Sequence, residues 1–458
     1  RRALGVIDAV SIVVGRIIGS GIFRTPGPIM ALVASTSLFG LVWLLGALVT
    51  VLAATLYAEL VAMMPRAGGP YVYLRVAYGP LWAFLRGWAM FFVSETGAIA
   101  AVALVFAEYT SALLVATGGA PLTRPAIAAL ALAVVWLLTT VNLFGVATSG
   151  AVQRWLASIK VLAVLAIIAT SFVSGGNTAN FVSPLWPTEL SWASVLAVAA
   201  ALRYAFFAFS GWEGATYVAE EVRNPRRNLP LSLLLGIGGV LVLYLGTNVA
   251  YLYQLTPAQM AQAPSVAVDA LRMAAGAAGA TLIAVAVMIN TFGNVSTQVL
   301  CKARTWQAMA HDGLFFSRLA PLSARYQTPN AALIAQGAWA SLLLVVAAFA
   351  THAYETVIDF FTATSTLFNL MTLVAVPILR HRFPDLHRPY RAWLYPWGLI
   401  IVLALYGSFF ILTLVTAFVP SIIGLGLTAT GLIYYRYKQR HPGGRHAARA
   451  PTDLGDAG

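Results

Sequence analysis

Charge is scarce in this sequence. Of 458 residues only 9% are Asp, Glu, Lys or Arg, and 15 are acidic, while 60% are hydrophobic. Soluble domains carry roughly 25% charged residues, so too little polar side chain is present to wet a globule. Cysteine is nearly absent. Cys301 stands alone, which excludes an internal disulfide and leaves no extracellular thiol for a disulfide-linked partner subunit. The six histidines, at 311, 352, 381, 387, 441 and 446, offer no metal-ligand spacing with an acid inside an apolar run. Phosphate loops and nucleophile elbows are missing too. Metalloenzyme, hydrolase and ATP-driven pump are all disfavoured, and no cofactor is expected.

What is there is a succession of apolar runs. A helix rises about 1.5 Å per residue, so ~20 residues cross a hydrocarbon core ~30 Å thick. Twelve such spans are expected, near 8–32, 38–63, 81–115, 126–145, 153–173, 192–219, 231–254, 277–310, 331–350, 355–378, 393–415 and 417–437. The class is therefore an all-α membrane protein in a lipid bilayer, with no inserted soluble domain. The first run is long and continues into patterned sequence, so no cleaved leader is expected. The amphipathic stretch from Met64 to Pro80 lies on one face or re-enters from it, and the tail 441–458 is expected to be disordered.

A net charge of +13 would suit nucleic acid, but its placement excludes that reading. Arg66 and Arg75, then Arg223, Arg226 and Arg227, then Arg318 and Arg325, then Arg380, Arg382, Arg388 and Arg391 fall in alternate loops. Arg124 and Arg272 are the exceptions. Such alternation marks the cytoplasmic side and puts both termini there.

Two spans are unusual in the same manner. The first holds Ile17-Ile18-Gly19-Ser20-Gly21-Ile22-Phe23 and the sixth Phe207-Ala208-Phe209-Ser210-Gly211-Trp212-Glu213-Gly214. Glycine costs roughly 1 kcal/mol at a helical position relative to alanine and tolerates other dihedrals. Clusters in mid-membrane make a break plausible, and unwound backbone survives there only against protein or a wet cavity. Close helix packing is the alternative for either cluster. Two clusters at corresponding places favour a substrate site, because breaks at matching repeat positions mark one.

Those residues carry a resemblance. Gly15 through Phe23, Pro65-Arg66-Ala67-Gly68-Gly69-Pro70-Tyr71-Val72-Tyr73-Leu74-Arg75, and Phe207 through Pro230 follow the motif order of the amino acid–polyamine–organocation superfamily. The chain resembles its bacterial amino acid permeases and its L-type transporters. A weaker match runs from Ala308 to Gly313, and the last four spans add hydropathy only. The resemblance implies a leucine-transporter-like fold: five-plus-five inverted repeats, 1–173 and 174–392, broken helices one and six, then two peripheral helices in 393–440. It implies alternating access around a site formed by Ile17, Gly19, Ser20, Gly21, Phe207, Ala208, Ser210 and Gly211. The Ser20 and Gly21 amides and the Ser20 hydroxyl would hold a carboxylate, which suits a helix N-terminus. Carbonyls of Ile17, Phe207 and Ser210 would accept from an ammonium, and Phe207 would act as a gate.

Ionisable residues inside spans are functional candidates by default. By resemblance, Lys160 stands where sodium-coupled relatives bind sodium, which implies sodium-independent transport; a snorkelling lysine is the alternative. Glu213 follows the second break and either handles a proton, pairs with a cationic substrate, or forms a fixed ion pair. Arg16 departs from the family pattern, with Glu213, Glu95 or Glu59 as candidate partners. Glu95, Asn294 and Gln298 are candidates for the side-chain pocket, the last two on one helix face at i,i+4. The expected function is secondary transport of neutral L-amino acids in the cell membrane, by exchange or with proton coupling. A cationic amino acid or polyamine antiporter, a passive channel and a non-transporting sensor are the alternatives.

Overall fold

The computed structural model describes residues 4–65, 69–144, 150–182, 184–187, 189–217, 219–263, 265–311, 313–326, 328–350 and 352–440. Arg66 to Gly68 of the second motif, Asp312 and the tail from 441 lie outside the described residues.

Helix dominates, and among the described residues the β contact is a single bridge between Leu4 and Val222. The first span is divided. Helix α1 runs Val6–Ile17, α2 Gly21–Arg24 and α3 Pro26–Val33. Then come α4 (Thr36–Met63) and the amphipathic α5 (Pro70–Tyr78). The third span is α6 (Pro80–Ala89), a π-helical segment Met90–Ser94, and α7 (Glu95–Ala116). Helices α8 (Arg124–Leu143) and α9 (Gly150–Val173) complete the first half. The sixth span is α10 (Trp192–Ala208), a non-helical turn, and α11 (Gly214–Tyr217). The second half continues with α12 (Pro225–Gln254), α13 (Pro257–Gln262), α14 (Val266–His311), α15 (Asn330–Ala348) and α16 (Ala353–Arg382). Helices α17 (Trp397–Thr416) and α18 (Phe418–Arg440) end it.

Ten of these helical stretches are long and apolar enough to cross a bilayer, and the stretches 157–173 and 192–208 are shorter apolar helices. The molecule is a multi-pass membrane protein. The expected start of the eighth span near residue 277 is met by a kink. Ala275 and Gly276 leave helical geometry, so α14 is two helices end to end.

Helices at equal positions in the two halves pack on each other: α4 on α12, α7 on α14, and α8 on α15. The α1 helix packs on α9 and α12, while α10 packs on α3, α4, α16 and α17, so both broken spans are enclosed. The α18 helix covers α16 and α6 from outside. One end of the bundle, where α1 begins and α18 stops, is the terminal face. Near that face the Glu59 carboxylate, fully buried, accepts from Arg380 Nε at 2.8 Å, Arg380 Nη2 at 2.6 Å and the Ala392 amide at 2.8 Å. Bidentate pairing of this sort fixes the loop after α16 against α4.

Candidate functional site

Both breaks are real departures from helix. Ile18 ends α1 at ψ 85, and the Gly19 amide turns back onto the Ile17 carbonyl at 2.7 Å. Helix resumes at Gly21 with no side-chain cap. In the sixth span, Gly211 takes φ +91, a left-handed conformation costing most L-residues roughly 1–2 kcal/mol. The two breaks touch: a Cβ built on Gly21 would meet the Cα and Cβ of Ala208.

Between them lies a cavity of about 140 Å³. Ile17, Gly19, Ser20, Gly21, Phe207, Ser210 and Gly211 line it, together with Arg16, Glu213, Glu95, Asn294 and Gln298. Lys160 and Ala208 do not. Ala208 is the floor on which Gly21 rests, and Lys160 acts from behind, donating from Nζ to the Gly15 carbonyl at 2.6 Å.

The Ser20 hydroxyl is buried without a hydrogen-bond partner, and among the described residues nothing accepts from the Ser20 and Gly21 amides. Three donors thus converge at a helix start, in a cavity. The carbonyls behave otherwise. Ile17 O already accepts from the Tyr244 hydroxyl at 2.8 Å as well as from Gly19 N. Phe207 O accepts from Ser210 N at 3.0 Å and Ser210 Oγ at 2.7 Å. Tyr244 also donates toward Ala208 O at 3.1 Å, bridging the breaks. Two of the three carbonyls expected to be free are therefore satisfied in this conformation, because an orphaned carbonyl in a dry wall recruits a nearby hydroxyl. Ser210 O remains without a donor among the described residues.

Two of the three candidate partners of Arg16 have ion pairs of their own. Glu59 is engaged by Arg380, and Glu95 pairs with Lys302 at 2.9 Å. The Arg16 side chain passes against Gly214, with its guanidinium 5.7 Å from the Tyr217 ring centre. Asn294 accepts from Gln298 Nε2 at 3.0 Å, and both face the cavity.

Several contributors were not read from the sequence. The tenth span, credited with hydropathy alone, supplies Phe361, Thr362, Ser365, Thr366 and Asn369 to the wall; its Thr-Ala-Thr-Ser-Thr run, polar within an apolar span, was the available signal. Arg86 and Arg203 also line the cavity, and Arg203 Nε pairs with Asp359 at 2.8 Å. The π-helical segment turns Ser94 and Glu95 onto the cavity, with the Thr96 hydroxyl donating to Phe91 O at 2.6 Å. Such bulges recur at functional sites.

Beyond the cavity, away from the terminal face, stands a clamp. Arg24 donates from Nε to Glu108 at 2.8 Å and from Nη2 to Glu355 at 3.0 Å, tying α2 to α7 and α16. Glu108 lies six residues after Val102 and Glu355 six residues before Phe361, each about 9 Å from the nearest cavity residue of its helix. Phe207 sits beneath the clamp, packed on Tyr354 at 5.9 Å and Phe361 at 6.0 Å.

Broken helices around a polar, membrane-buried cavity suit a zwitterion, and the similarity to known proteins is of the same kind. A family model described as amino acid permease matches residues 4–437. The b(0,+)-type amino acid transporter 1 of Mus musculus is 30% identical over 413 residues, covering 89% of this chain and 82% of that one. The Asc-type amino acid transporter 1 of Mus musculus is 31% identical over 434 residues, covering 93% and 79%. The large neutral amino acids transporter small subunit 2 of Homo sapiens is 30% identical over 449 residues, covering 96% and 82%. By that match over nearly its whole length, the chain belongs to the amino acid permease family.

Proposed function

We propose that this chain exchanges neutral L-amino acids across the cell membrane by alternating access, with both termini cytoplasmic and without sodium. The observation that carries this reading is the buried, unpartnered Ser20 hydroxyl beside two free amides at the start of α2. A carboxylate there gains three donors and the positive helix end. The ammonium is received on the side of the sixth span, with Ser210 O as the carbonyl still open.

Charge selects the substrate. Arg16, Arg86 and Arg203 in the cavity wall outnumber Glu95 and Glu213, so a cationic side chain is repelled. Pairing of α4 with α12, α7 with α14 and α8 with α15 supports two inverted repeats, 1–173 and 174–392, rocking about the cavity. Phe207, under the Arg24 clamp, is the gate on the extracellular side. The Lys160 ammonium holds the broken end of α1 through Gly15 O and stands in for a sodium ion, while Glu213 handles any coupled proton. A single cysteine, Cys301, in a spanning helix supports a chain that works without a disulfide-linked subunit.

The test is counterflow into proteoliposomes preloaded with L-alanine. Labelled L-alanine is expected to accumulate, to be displaced by leucine and serine, and to be indifferent to sodium. Displacement by arginine or a polyamine alone, or sodium stimulation, contradicts the reading.

A further inference from the structure

Among the described residues, Arg86 is a buried charge with no ion pair. It lies in α6, nine residues and about 13 Å nearer the terminal face than Glu95 on the same span. Only 4% of its surface is exposed, yet Nε and Nη1 have no hydrogen-bond partner. Among the described residues no carboxylate comes within ion-pair distance of it. Glu95 is taken by Lys302 and Glu59 by Arg380, while Glu213 shares the cavity without reaching it. Its flank is the Phe368 ring, 5.6 Å from the guanidinium carbon, and Asn369 and Trp212 line the same end of the cavity. A buried guanidinium with two unmade hydrogen bonds is costly unless a ligand supplies acceptors.

We propose that Arg86 forms an anion-binding subsite at the terminal-face end of the cavity, separate from the amides that hold the α-carboxylate, and that it takes a small monovalent anion. A planar guanidinium fork donates to a carboxylate in bidentate fashion, and its N–H groups can donate to a halide as well. The same chemistry has two sources: the side-chain carboxylate of an acidic amino acid, or an inorganic halide. The first source rests on the transport reading above and extends it from neutral to acidic side chains; the second does not.

Two arms separate them, on the full chain. In detergent, thermal unfolding is followed while chloride replaces the bulkier gluconate at constant ionic strength. In proteoliposomes, L-aspartate and L-asparagine compete with labelled L-alanine uptake. A saturable chloride-dependent rise in Tm that weakens at least tenfold in Arg86→Gln assigns the halide. Inhibition by aspartate that weakens at least tenfold relative to asparagine in Arg86→Gln assigns the substrate side chain. Arg86→Lys, which keeps the charge and loses the fork, is expected to weaken either effect at least threefold and serves if the glutamine variant does not fold. Absence of both effects in wild type, or an effect unchanged in the variants, overturns the subsite. Failure of alanine uptake itself would sink the transport reading and leave the chloride arm readable.

Discussion

Gly21→Ala is expected to lower amino acid uptake about a hundredfold while the chain still reaches the membrane. Its new Cβ would meet Ala208 at both Cα and Cβ, with the Ala208 amide nitrogen 3.3 Å away. Backbone cannot swing aside as a flexible side chain does, so α2 and the end of α10 must separate. Over-packing of this kind costs about 1–3 kcal/mol in stability. The larger loss is positional, because a displacement near 1 Å of a binding group removes about two orders of magnitude. The amides of Ser20 and Gly21 would move together, since both belong to the same turn. Gly40→Ala in α4, where nothing lies within 4 Å of the built Cβ, is the matched control and is expected to transport normally. Initial uptake rates normalised to membrane-inserted protein check both.

Lys302→Met is expected to destabilise the protein by about 3–5 kcal/mol, and Glu95→Gln by a similar amount, whereas the double substitution regains most of that loss. Lys302 is 1% exposed, its ammonium lies 2.9 Å from Glu95 and 4.3 Å from the Tyr217 ring centre. Removing either partner leaves the other charge buried without its ion pair. The pair locks α14 to the third span where the π-helical segment turns toward the cavity, so its stability and the cavity's shape are coupled. Thermal unfolding of the two single variants and the double, compared as a cycle, reads the coupling. Single variants with wild-type stability would show that the pair contributes nothing.

The frame of this molecule was legible because lipid imposes simple rules. Twenty-residue apolar runs, glycine clusters at 19–21 and 211–214, and alternating basic loops each follow from the bilayer acting as solvent. The cavity walls were legible only where a residue type looked out of place. Arg16, Glu95 and Glu213 announced themselves as charges in mid-span. Arg86, Arg203 and Lys302 carry the same signal, but Arg86 and Lys302 stand near the terminal-face ends of their spans, where a long cation reads as snorkelling. Arg203 sits eleven residues after the start of α10, and its pairing with Asp359 joins helices 156 residues apart, which no local pattern reveals. The recapture of Ile17 O by Tyr244 is equally non-local, spanning 227 residues. The π-helical segment has no proline to mark it; it exists because tertiary contacts, among them Trp339 Nε1 donating to Phe92 O at 2.8 Å, hold it. Positions of breaks were encoded locally, and what fills their hydrogen bonds was not.

The claim on which the rest depends is that the amides and hydroxyl at residues 20 and 21 bind a carboxylate. Competition of labelled L-alanine uptake by L-leucine and by leucinamide, which keeps the ammonium and side chain but lacks the negative charge, tests it most directly. The account predicts displacement by leucine and at least a hundredfold weaker displacement by leucinamide. Equal displacement by the two would contradict it.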